Sequence, residues 1–160
     1  MRAGEGLVAS SLPVFAVRSR SSAWDIDNGK AVYAKNCQSC HGANGLGTKA
    51  PDYAKTGAYL FPPLTGNDSY NDGAGMSRII KATRFIHANM PLGASSEKPI
   101  LSVDDAFDVA GYVESLSRPN RPGREKDFPD PEFRPVDYPV PEYFGDDAKA
   151  LKRAKYGPFD

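Results

Sequence analysis

The chain has little of what builds a disulfide framework, a membrane span or a charged interface. Among 160 residues there are two cysteines, two histidines and one tryptophan, and twenty basic residues are balanced by twenty acidic ones. The cysteines, Cys37 and Cys40, are too close in sequence to staple a distant loop, so they point to chemistry rather than cross-linking. A formal net charge of zero provides no uniform field for phosphate backbones or an anionic bilayer, which argues against a nucleic-acid partner. No run approaches the ~20 apolar residues that cross a bilayer, and the most apolar stretch, Leu7 to Val17, is interrupted by Ser10, Ser11 and Pro13. What remains is the composition of one globular domain, 40% hydrophobic and 25% charged, with some chain to spare.

Three regions are distinguishable. Residues 1–24 carry Arg2, Arg18 and Arg20, five serines and a single acid, Glu5, around a weakly apolar centre. That balance reads either as a targeting-like segment, secretory or organellar, or as an ordinary N-terminal arm. From Asp25 the pattern becomes that of a folded domain. Asp27 is placed to cap a first helix running through Gly29, Val32 and Tyr33 toward Cys37. A Gly/Pro-rich loop from Gly42 to Gly75 follows, and an irregular stretch of that length implies something for it to surround. Ser77 is placed to open a helix with a stripe of Ile79, Thr83, Ile86 and Met90, which Pro91 stops. Ser102 and Asp105 have capping-box-like spacing ahead of a last amphipathic helix bearing Ala106, Phe107, Ala110, Val113 and Leu116. No strand signal is strong. Residues 119–160 hold eight of the fourteen prolines, interleaved with aromatics, and read as an extended strap on the domain surface or on a partner. The mixed-sign run from Arg118 to Asp130 reads as a solvated face.

The decisive string is Cys37-Gln38-Ser39-Cys40-His41, the spacing that attaches haem c through two thioethers while the adjacent imidazole binds iron. Both vinyl groups lie on one side of the porphyrin, so two thiols about one helical turn apart reach them. A redox dithiol calls for neither the following histidine nor the absent βαβ pattern, and half a zinc site lacks its second ligand pair.

With Gly29 eight residues before Cys37, Pro62-Pro63-Leu64 in the loop and Gly111-Tyr112-Val113-Glu114-Ser115-Leu116 in the last helix, residues 25–118 resemble a class I monohaem cytochrome c. The resemblance implies an all-α fold of three to five helices around one haem c, here with a proline-rich C-terminal tail. It implies that Gly29 allows a close crossing of the first and last helices. It also implies that Pro62 or Pro63 accepts the Nδ1–H of His41, which fixes the ring and makes it a better donor. For the sixth ligand, Asn89-Met90-Pro91 matches the family's Met-Pro pattern, giving His41 and Met90 as the iron ligands; Met76 and His87 are the competitors. The strings Asn67-Asp68-Ser69-Tyr70-Asn71-Asp72-Gly73-Ala74-Gly75-Met76, Arg118-Pro119 and Lys155-Tyr156-Gly157-Pro158-Phe159 more closely resemble the second, electron-accepting haem domain of dihaem thiosulfate dehydrogenases.

In that family catalysis occurs at the other haem, with a cysteine ligand from the preceding domain. This sequence contains no cysteine besides Cys37 and Cys40, so the expected role is an electron carrier rather than an enzyme, with no catalytic residues, passing electrons between redox protein partners or serving as a subunit of a larger complex. The alternatives are a haem subunit or truncated form of a thiosulfate dehydrogenase, and a small peroxidase-like protein with an exchangeable sixth site. Haem c is attached in the bacterial periplasm or the mitochondrial intermembrane space, and the tail's resemblance to bacterial proteins favours the periplasm.

Overall fold

The structure, a computed structural model, describes residues 24–159. The arm-or-targeting reading of residues 1–24 therefore lies outside the described residues, apart from Trp24. In chain order the helices are α1 (Ile26–Asn36), α2 (Gln38–His41), α3 (Tyr53–Thr56), α4 (Ile79–Asn89), α5 (Val103–Ser115) and α6 (Ala148–Tyr156). The fold is mostly helical, as expected, and adds one short antiparallel pair, β1 (Thr48–Lys49) and β2 (Tyr59–Phe61), with Thr48 opposite Phe61 and an irregularity before Lys49. Strands of two and three residues are too short to leave a periodicity signal in sequence.

The N-cap of α1 is Asp25, not Asp27: the Asp25 carboxylate accepts the N–H groups of Asp27 and Asn28 at 2.9 and 3.0 Å, while Asp27 lies in the first turn. Both residues have the right chemistry, and the cap went to the one whose own N–H is held by Asp108 Oδ1 at 3.0 Å. Ser77 likewise lies in a 3-10 turn ahead of α4 (Gly75–Ser77), leaving Arg78 as an N-cap without a side-chain acceptor. Ser102 does cap α5, accepting Asp105 N–H at 3.0 Å and donating to its carboxylate at 2.9 Å.

α1 and α5 cross closely. A Cβ on Gly29 would sit 2.3 Å from the Asp108 carbonyl oxygen, so no larger residue fits without parting the helices. Val32, Tyr33, Leu101, Ala106, Val109 and Val113 form one buried cluster at this crossing. A second, made of Ile79, Ile80, Ala82, Phe107, Ala110 and Phe159, joins α4, α5 and the C-terminus.

The C-terminal region is less extended than its prolines suggest. Three 3-10 turns and α6 punctuate it, and Tyr138, Val140, Ala154 and Phe159 are buried. Asp137, fully buried, accepts from Arg78 Nε at 2.9 Å and from the Ile80 N–H at 3.0 Å. It thereby supplies from 57 residues away the acceptor that the start of α4 lacks. Residues 118–130 expose Lys126, Asp127 and Asp130, as a solvated face would, but their arginines are paired, Arg118 with Glu114, Arg121 with Asp127 and Arg124 with Asp72. Mixed signs in sequence do not separate solvated charges from charges paired across the fold. No helix among the described residues is long and apolar enough to cross a membrane.

Candidate functional site

The Cys-Xaa-Xaa-Cys-His string occupies the seam between two helices. Cys37 ends α1, donating its N–H to Tyr33 O at 2.9 Å, and the chain turns immediately into the single turn of α2, where His41 N–H returns to Cys37 O at 2.9 Å. The two sulfurs are thus set one helical turn apart. Gly42, at φ 79°, terminates this turn in a conformation that favours glycine, and its carbonyl accepts the Tyr33 hydroxyl at 2.7 Å. Thr48 Oγ1 donates to Cys40 O at 2.6 Å and Gly47 N–H to His41 O at 2.8 Å, so β1 and the residue before it hold the motif.

The second clamp reaches the imidazole itself. His41 Nδ1 donates to the Pro62 carbonyl at 2.8 Å, which leaves Nε2 with its lone pair. Pro62 can approach because residue 47 has no side chain: a Cβ there would lie 2.6 Å from Phe61 O, 2.7 Å from Pro63 N and 2.9 Å from Pro62 C. Of the two candidate prolines, Pro62 supplies this acceptor and also lines the cavity described next, whereas Pro63 is buried and is not among the lining residues.

Cys37, Cys40, His41 and Pro62 share a predominantly apolar cavity of about 260 Å³ with Met76 and Met90. Phe61, Leu64 and Tyr70 come to it from the loop, Ala82, Phe85, Ile86 and Asn89 from α4, and Val109 and Val113 from α5. Met90 follows α4 as its C-cap, its N–H bonded to Ile86 O at 2.8 Å, and the next side chains on that rim, Pro91 and Leu92, also line the cavity. His87 is buried at 5% exposure but is not among the lining residues, so the structure brings both methionines, and not the second histidine, to the cavity.

Most of the wall was not singled out from sequence. The apolar stripe of α4 divides: Ile79 and Thr83 face the protein interior, while Ile86 and Met90 face the cavity. A period of 3.6 marks an apolar face without saying whether protein or ligand covers it. Tyr70 gave no periodic signal at all, since it comes from irregular chain.

The residues present fit a covalently attached haem. Two thiols one turn apart, an imidazole with one nitrogen fixed, two thioethers and an apolar enclosure are the donors and surroundings that such a group requires. Burial and the neighbouring Cys40 push the Cys37 thiol up to about 11, opposite to the lowered value of a redox-active dithiol. No group of three or more His, Cys, Asp or Glu among the described residues is placed to hold a metal ion.

Comparison with known proteins identifies the family. Residues 26–117 match the family described as Cytochrome c. A thiosulfate dehydrogenase of Stutzerimonas stutzeri is 48% identical over 99 residues, 62% of this chain and 30% of the relative. That of Allochromatium vinosum is 49% identical over 92 residues, 58% of this chain and 32% of the relative. Among solved structures, the thiosulfate dehydrogenase TsdBA of Marichromatium purpuratum superposes with a TM-score of 0.54 at 43% identity, over 62% of this chain and 20% of that one. The chain spans roughly a third of the length of the curated relatives that it matches.

Proposed function

The chain belongs to the cytochrome c family, whose business is electron transfer on haem c, and from that premise we propose that it is an electron carrier with His41 and Met90 as axial ligands. In this reading Cys37 and Cys40 form the thioethers. His41 keeps its Nδ1 proton on Pro62 O, which fixes the ring plane and leaves Nε2 for iron. Met90 provides a thioether at the end of α4, and a thioether ligand raises the potential and closes the iron to small exogenous ligands. Haem c supplies a one-electron couple between ferric and ferrous iron. The protein's part is to exclude water with Phe61, Leu64, Ile86, Val109 and Val113, and no acid/base pair is needed. The observation that carries this reading is the gathering of both thiols, the Pro62-bound imidazole and Met90 in one apolar cavity.

The test is spectroscopic. Ferric protein should show a sulfur-to-iron charge-transfer band, insensitive to cyanide and thiosulfate, that is lost in Met90→Ala and kept in Met76→Ala. Loss in Met76→Ala alone would transfer the ligand role to Met76.

We further propose that the redox partners belong to sulfur-compound oxidation in the periplasm, because the relatives of 48% and 49% identity are thiosulfate dehydrogenases. A second reading, that the chain is the haem subunit or a part of such an enzyme, is favoured by its matching about 30% of those relatives' length. Mixing ferric protein with thiosulfate distinguishes the two: a carrier stays oxidised until a separate catalyst is added, whereas a catalytic form is reduced directly.

A further inference from the structure

Behind the cavity wall lies a buried charged cluster that the electron-carrier reading does not use. Tyr70, which lines the cavity, donates its hydroxyl to Glu114 Oε1 at 2.8 Å. Glu114 sits on α5 next to the lining residue Val113 and is 3% exposed, the one buried glutamate among the described residues. Its other oxygen, Oε2, faces Arg118 Nη2 at 3.5 Å, too long for a good hydrogen bond. Arg118 spends that nitrogen on Val113 O at 2.6 Å and stacks its guanidinium 4.4 Å over the Tyr70 ring, and its Nη1 is buried with no hydrogen-bond partner among the described residues. Glu114 thus has one close hydrogen bond, at Oε1, and a long ion pair at Oε2.

Four groups from three elements act on this carboxylate. Arg118 beyond the end of α5, Tyr70 from the loop, and Lys155 and Tyr156 from α6 all interact electrostatically with it, and Arg124 acts in turn on Lys155. Arg118, Lys155 and the Tyr70 hydrogen bond favour the carboxylate, but burial outweighs them and raises its proton affinity to about 6. A group poised there, separated from the cavity by one phenol ring, responds to any change of charge inside the cavity, because a buried environment screens weakly.

We propose that Glu114 is the proton-coupled site of the electron-transfer reaction: its Oε2 binds a proton from solvent when the iron is reduced and releases it when the iron is oxidised. The electron comes from a one-electron protein donor, which is oxidised. The only bond that forms is O–H on Glu114, and it breaks again on reoxidation. Glu114 is a positioning residue in this scheme, acting on the couple through charge and through Tyr70.

The proposal rests on the carrier reading, and the two fail separately. Loss of the charge-transfer band strikes the Met90 assignment, whereas a pH-independent potential with the band intact strikes Glu114 alone. Spectroelectrochemical titration of holoprotein from pH 5 to 8 should show the midpoint falling as pH rises through the region of 6, with a limiting slope of ~59 mV per pH unit for one proton per electron. In Glu114→Gln that segment should flatten. In Tyr70→Phe, which removes a hydrogen bond to the ionised form, it should move to higher pH. A flat wild-type curve, or a slope that survives Glu114→Gln, overturns the proposal. Should that variant not fold, redox-difference infrared spectroscopy of wild-type protein labelled with carbon-13 glutamate reads the same event: a protonated-carboxyl band that grows on reduction and moves with the label is expected, and its absence, or indifference to the label, overturns the proposal.

Discussion

Substituting Gly29 by alanine sets two effects of opposite sign against each other. In an exposed helix the change would stabilise the protein by about 1 kcal/mol through helix propensity. Here the new Cβ would lie 2.3 Å from the Asp108 carbonyl oxygen, 2.9 Å from its carbon and 3.0 Å from Tyr112 Cβ. The first two are backbone atoms inside α5, so no rotamer relieves the clash. Bringing the closest pair to ordinary contact parts the helices by about 1 Å, and gaps of that size forfeit a quarter to a half of the dispersion attraction at each contact they open. Val32, Tyr33, Ala106, Val109 and Val113 all lie in the cluster at this crossing. Overpacking of this kind costs about 3 kcal/mol at the upper end, leaving a net loss of about 2 kcal/mol after the propensity gain. At ~2–4 °C per kcal/mol for a chain of this size, the melting temperature should fall by about 4–8 °C. Guanidinium denaturation followed by circular dichroism measures the loss, and Gly111→Ala is the control. Its Cβ would meet the Trp24 ring at 2.8 Å, a side chain rather than the backbone of a neighbouring helix, so its loss should be smaller. If Gly29→Ala matched wild type or gained stability, the close crossing of α1 and α5 would be wrong.

Three further outcomes follow from the same geometry. Asp137→Ala should destabilise by about 3 kcal/mol or more in denaturant titration, because it strands Arg78 and the Ile80 N–H beside a buried site. Gly47→Ala, at φ 75° and 2.6 Å from Phe61 O, should displace the segment Phe61-Pro62-Pro63, lower stability by about 1–3 kcal/mol and raise the midpoint potential as His41 loses its acceptor; an unchanged potential would detach Pro62 from the role given to it. Glu114 binds its proton more tightly folded than unfolded, about 6 against 4.5, so its contribution to stability is present below 4.5 and is lost as pH rises through 6. Stability of Glu114→Gln relative to wild type should therefore increase by about 2 kcal/mol between pH 4.5 and 7, and a constant difference across that range would contradict the burial assigned to the carboxylate.

What the sequence revealed was chemistry held in short strings. Cys37, Cys40 and His41 lie within five residues, and their spacing encodes the geometry of attachment whatever the surrounding fold. The Ser102 cap and the helical spacing of α5 were legible for the same reason, since both are local. Nonlocal partners were not. Asp25 prevailed over Asp27 because of Asp108, 83 residues away, and α4 takes its N-terminal acceptor from Asp137 rather than from Ser77. The nine-residue α6 was hidden by a proline-rich setting, although no proline falls within Ala148–Tyr156 and Asp147 accepts Ala150 N–H at 2.9 Å as its cap. Composition over forty residues averaged that local signal away.

The role of the C-terminal region follows from where its buried groups attach. Phe159 joins Ile79, Ile80 and Ala82 of α4, and Asp137 bonds to Arg78 and Ile80 at the start of that helix. Both anchors act on the N-terminal half of α4, while its C-terminal half presents Phe85, Ile86 and Asn89 to the cavity and delivers Met90. A helix of 11 residues fixed at one end transmits that constraint to the other as a rigid rod of about 16 Å. The C-terminal region thus anchors the end of α4 opposite to the one that Met90 follows. An extended segment held only by prolines would leave α4 free to shift, whereas one carrying a buried carboxylate and a buried ring fixes its height and its rotation. This explains why the aromatics among the prolines are divided: Tyr138 and Phe159 are buried against the domain, and Phe133, at 73% exposure, is not.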